Sequence, residues 1–283
     1  MYPRVIRYWK LLKETVISFS DKDMLTHAAA ISYYTVFSLP SMLLIVLWTA
    51  AQFYREDAVY EAIFERITGL LGEQASHQIM ATIQKLSVEE PTWLSTVIAI
   101  AILLFFATTV FDAMRTALNT IDKVEAPSSL KKSIWMLFRL RIIGFTLLIS
   151  LSFFLLVSLT LDVMLSTLSL YLFDWLGEWS QYFLRIDKFL LDFVVTTLIF
   201  ALYFRYLPDI RLKWSIVFLG AGWTSILFVL GKGLIGILIS NNQIINLYDA
   251  AGSLLILMLW VYYASIIFLF GATFTFTYKK EEE

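Results

Sequence analysis

The residues of this chain that can do chemistry are few, and they sit in apolar surroundings. Lys232, in Gly231-Lys-Gly233, interrupts a long hydrophobic run. A charge held at membrane depth costs from a few to more than about ten kcal/mol unless it is paired, hydrated or able to snorkel along its own stem. Asp162, Asp192 and Asp249 stand near the ends of other hydrophobic runs and are candidate partners. Two readings stay open: a polar vestibule that handles a charged headgroup or ion, and an ammonium that snorkels to the interface. Asp112, Arg115 and Asn119 recur at steps of three and four, so they share one helix face. There they form a local ion pair or, in the functional reading, meet a headgroup phosphate. Tyr33 and Tyr34 belong to a polar stretch with His27, Ser32, Thr35 and Ser38 ahead of Pro40. A proline inside a span frees a backbone carbonyl, and these hydroxyls can satisfy it or line a cavity.

Other chemistries lack their residues. The chain has no cysteine, which removes disulfides, thiolate nucleophiles and thiolate-bound metals. Its two histidines, His27 and His77, are too far apart for a recognisable metal-ligand spacing. No phosphate-binding loop, nucleophile elbow or paired-carboxylate signature occurs in its proper context. No metal, no cofactor and no enzymatic activity are therefore expected. A net charge of −1 gives no basic footprint for nucleic acid.

The elements that must position these residues are hydrophobic helices. Of the 283 residues, 59% are hydrophobic and only 16% are charged, outside the usual balance of soluble domains. The expected fold is all-α: a polytopic membrane protein with six transmembrane helices near 28–54, 93–111, 142–165, 189–206, 214–240 and 250–278. Residues 27–283 form that domain. Residues 1–26 form a separate cytoplasmic amphipathic helix, with Val5, Trp9, Leu12, Val16 and Phe19 on its apolar face and Arg7, Lys10 and Lys13 opposite. It either lies in the headgroup layer or packs on the chain's own loops. Sixteen Lys and Arg residues fall on one side of these spans and five on the other, which places both termini in the cytoplasm.

Segment 55–92 reads as an extracytoplasmic helical hairpin. Val59, Ile63, Ile67 and Leu70 mark one amphipathic piece; Ile79, Ile83 and Leu86 mark the next. Seven acidic residues, Glu61 and Glu65 among them, give it an acidic outer surface. Tyr171, Phe173, Trp175, Trp179, Tyr182 and Phe183 form an interfacial aromatic belt. In the last span Ala250, Ala264, Gly271 and Thr275 share a stripe of small residues suited to close packing against the fifth. That span has its own small stripe, Gly222, Ser225, Gly233, Gly236 and Ser240.

Several fragments, in order, carry a resemblance. They are Ala28-Ala-Ala-Ile-Ser-Tyr-Tyr-Thr-Val-Phe-Ser-Leu-Pro40, Ala117-Leu-Asn119, Tyr203-Phe-Arg-Tyr-Leu-Pro208, Gly220-Ala221, and Trp260-Val-Tyr-Tyr263 with Phe270-Gly-Ala272. Through them the chain resembles the YihY/BrkB family of bacterial membrane proteins over essentially its whole length. The resemblance implies six helices in the bacterial inner membrane. It also implies a part in envelope processes; relatives are linked with resistance to host serum. A ribonuclease label attached to some relatives finds no supporting residues here. Two positions depart from the family pattern: Asp249, where glycine is frequent, and Thr273, where glutamate is frequent.

Together these features lead to the expectation of a protein that transports, or helps export, a lipid or other envelope amphiphile, with membrane lipids as its partners. The alternative is a scaffold that moves nothing and docks an extracytoplasmic envelope protein through 55–92. An intramembrane enzyme is a third reading.

Overall fold

The computed structural model describes residues 2–51, 93–123, 179–240 and 244–282, with parts of 60–81 and 139–157. Among the described residues helix is the only regular structure. The long helices are α1 (Tyr2–Asp21), α2 (Met24–Ala51), α3 (Trp93–Ile121), α4 (Trp179–Tyr206), α5 (Trp214–Ser240) and α6 (Ile244–Glu282). α5 coincides with the expected fifth span. α3 runs on to Ile121 rather than stopping at Phe111, and α4 begins at Trp179 rather than 189. Hydropathy marks where a helix leaves an apolar layer; the hydrogen-bond ladder does not stop there. Helical residues also fall within 142–157, inside the expected third span.

α6 is the hub, packing against α1, α2, α3 and α5. Within it residues 271–276 are all buried. The main core gathers Ala28 and Ile31 of α2, Leu118 and Ile121 of α3, Phe200 and Phe204 of α4, Val217 and Ala221 of α5, and Phe268 and Leu269 of α6. The Phe204 and Phe268 rings stack at 5.5 Å.

The α5–α6 crossing is reciprocal. A Cβ placed on Gly220 would stand 2.8 Å from Thr275 Cβ, and one on Gly271 would stand 2.7 Å from Thr224 Cβ. Each threonine also donates to the carbonyl of the glycine one turn back in its own helix, at 2.7 Å in both cases. Hydroxyls that would be costly in an apolar seam are thereby satisfied, and the two backbones approach over glycine. The stripe foreseen on α6 supplies Gly271 and Thr275. On α5 the seam uses Gly220 and Thr224 instead of Gly222, whose added Cβ would meet nothing within 4 Å.

Two tight corners join helices through left-handed residues. Asp23 (φ 50°) closes α1 and opens α2: its N–H donates to Ser20 O, and its own carbonyl accepts from Thr26 and His27. Lys123 (φ 56°) ends α3, with its N–H on Thr120 O at 3.3 Å.

Candidate functional site

The polar groups of the described structure concentrate where α3 ends and α4 turns into α5. Phe111, Arg115, Leu118 and Asn119 follow one face of α3, and Phe111 meets Tyr203 of α4 edge-on at 6.0 Å. Pro208 cannot extend α4, so the chain crosses to α5 through 207–213, with Leu207 and Leu212 buried. Arg205 pins this connector by donating to Leu212 O, while its guanidinium lies over the Trp214 ring at 5.4 Å.

That geometry delivers Asp209 to α3. Arg115 is only 8% exposed and forks onto the carboxylate: Nε donates to Oδ1 at 3.3 Å and Nη2 donates to Oδ2. Asn119 completes a closed ring, its Nδ2 donating to Asp209 Oδ2 at 2.7 Å and its Oδ1 accepting the Asp209 N–H at 3.0 Å. Asp112, foreseen as the ion-pair partner, is only a 3.9 Å neighbour of Arg115 Nη1 and is half exposed. Of the three residues placed on one face, Arg115 and Asn119 converge on Asp209, while Asp112 stays at the side of Arg115. Nothing in local spacing could identify it; a carboxylate beside a helix-ending proline was the only signal.

A second cluster joins three helix ends. Lys279 and Lys280 of α6 reach the two oxygens of Asp122 at 3.3 and 3.4 Å. Lys22, beyond α1, donates to Ser18 Oγ at 2.8 Å and to Ile121 O. Burial first, then the positive charge of Lys280, lowers the Lys22 ammonium from its ordinary 10.5, with Asp122 acting in the opposite sense.

α1 buries one part of its surface and leaves the rest of its apolar arc open. Leu11 and Thr15 are fully buried, and Phe19 meets Phe270 of α6 at 5.8 Å. The rest of the arc is open. Trp9 is 71% and Val16 56% exposed, and an open groove runs along Trp9, Lys10, Leu12, Lys13, Val16 and Ile17. One face of α1 thus packs on the chain, and the other is open.

Other foreseen residues take their places separately. Tyr33 and Tyr34 are exposed on α2 with rings 5.7 Å apart, and Tyr33 packs on Phe37 at 4.7 Å. Lys232, Asp192 and Asp249 lie within α5, α4 and α6; their side chains, and Asp162 altogether, fall outside the described residues. Thr273, at a family-departing position, is fully buried with Oγ1 donating to Leu269 O at 2.7 Å. No group of three or more metal-ligating side chains occurs among the described residues.

Residues 15–283 match the family model described as Virulence factor BrkB. The chain belongs to that family. No curated protein and no solved structure matches it. Within the described residues, Trp214–Gly231 of α5 and Leu257–Glu282 of α6 are long and apolar enough to cross a membrane. Family membership and these helices make the chain a helical membrane protein. The fragments that carry the family resemblance meet in space: Asn119 touches the residue after Pro208, and Gly220 faces the residues that follow Ala272.

Proposed function

We propose that this protein moves, or helps move, a lipid or other envelope amphiphile. In this reading it is a six-span bundle of the bacterial inner membrane, with both termini cytoplasmic. The observation that carries the reading is the open face of α1. Exposed Trp9, Val16 and Ile17 beside Lys10 and Lys13 match the two halves of an anionic lipid, acyl chain and headgroup. The opposite face of α1 is fixed to α6, so a lipid held there acts on the helix that contacts most of the bundle. The junction of Arg115, Asp209 and Asn119 holds the adjoining helix ends rigid, as a lever of this kind requires.

Docking of an envelope protein through 55–92 has less support. The described part of that segment already uses Ile63, Ile67, Ile79 and Met80 to pack on the chain itself.

The test is movement of fluorescent anionic phospholipid across vesicles that contain the purified protein. Wild-type protein is expected to accelerate it, and Trp9→Ser with Lys13→Glu is expected to slow it severalfold at equal incorporation. A wild-type rate equal to empty vesicles, alongside an active scramblase control, defeats the proposal.

A further inference from the structure

The described pieces of segment 55–92 do not stand clear of the bundle. Tyr60 OH donates to Met80 O at 3.1 Å, and the Phe64 and His77 rings lie 4.9 Å apart, so the two described pieces run antiparallel. Ile63, Ile67, Ile79 and Met80 form one buried cluster with Val36 of α2 and Leu257 and Val261 of α6. Leu39 and Leu43 of α2 pack against it. Val36 stands about 18 Å along α2, close to the middle of that helix. Leu257 and Val261 belong to the apolar stretch of α6 that can cross a membrane. At this level α2 and α6 are also tied directly, Ser32 Oγ donating to Met258 O at 2.7 Å.

The outward surface at this level has two kinds of lining. Phe37 and Leu259, next to Val36 and Met258 in the chain, are 58% and 50% exposed, as lipid-facing residues are. Glu61 and Glu65, one turn apart on the piece that buries Ile63 and Ile67, are exposed too. A carboxylate cannot be left ionised against hydrocarbon, and backbone of a re-entrant kind is tolerated only against protein or a water-filled cavity.

We propose that these two pieces form a re-entrant hairpin sunk into the bundle, and that its Glu61–Glu65 face lines a water-filled vestibule at the depth where Phe37 and Leu259 face lipid. The hairpin brings water to the middle of α2 from one side of the membrane. This holds whether or not lipid is moved.

The chain has no cysteine, so single substitutions can be spin-labelled without background. Glu61→Cys, Glu65→Cys, Phe37→Cys and Leu259→Cys are placed in vesicles, with monodisperse elution as the check on folding. Relaxation by a water-soluble nickel chelate is compared with relaxation by oxygen. The chelate should dominate at 61 and 65, and oxygen at 37 and 259. Oxygen dominance at 61 and 65, or exclusion of both agents there, overturns the vestibule. Chelate dominance at 37 and 259 overturns it as well, because that level would then lie outside the bilayer.

Discussion

Arg115 carries a buried charge, and its value to the fold depends on which carboxylate it meets. Asp209 is close, doubly bonded and backed by Asn119, whereas Asp112 is half exposed at 3.9 Å. Removing a carboxylate from a buried pair leaves an uncompensated charge and costs about 3–5 kcal/mol; an exposed pair is worth less than about 1 kcal/mol. Asp209→Asn should therefore lower the thermal midpoint of the detergent-solubilised protein far more than Asp112→Asn. Equal shifts would show that the α3–connector junction is not what holds these ends. Lys123 offers the opposite sign. A lysine in the left-handed region bears strain that glycine avoids, so Lys123→Gly should stabilise the protein by about 1 kcal/mol, read in the same melt.

Between elements, the α5–α6 seam is set by two glycines, each facing a threonine. Gly271→Ala must push Thr224 and its helix away, and overpacking of this kind costs about 1–3 kcal/mol. Gly222→Ala, on the same helix as Gly220 but facing open space, should be silent or slightly stabilising. Comparison of the two melts checks the register of the crossing. Apolar run length was enough to locate α5 and α6, and the amphipathic faces at Ile63, Ile67 and Ile79 were legible from periodicity. Their depth was not. Periodicity tells which side of a helix is buried and says nothing about the level at which its partner stands. The register of the seam was hidden for a related reason: Gly220 and Gly222 are equally small, and only the rotation of α5 against Thr275 separates them.

At the scale of the molecule, Asp122 ties the end of α3 to the end of α6, and Lys22 brings the start of α2 to the same place. These contacts require the three ends to share one side of the membrane. Tags at the two termini should then respond alike to protease added from one side, both protected or both cut. Protection of one terminus alone would be incompatible with this arrangement. Charge counting leads to the expectation that both termini are cytoplasmic, because lysines near helix ends are visible without a fold. Asp209 stayed hidden because its partners lie 90 and 94 residues away, and no local pattern spans that distance.

The position of α6 as hub has a consequence for how the protein is made. It is the last of the described helices to leave the ribosome, yet α1, α2, α3 and α5 all close on it. Until it arrives, the Leu11–Thr15 face of α1 and the Gly220–Thr224 edge of α5 have no partner. The α2–α3 and α4–α5 pairs do not need it, so biogenesis can build these pairs first and ends in a late closure around α6. A premature stop just ahead of α6 would leave the earlier helices translated and paired without the helix they close around.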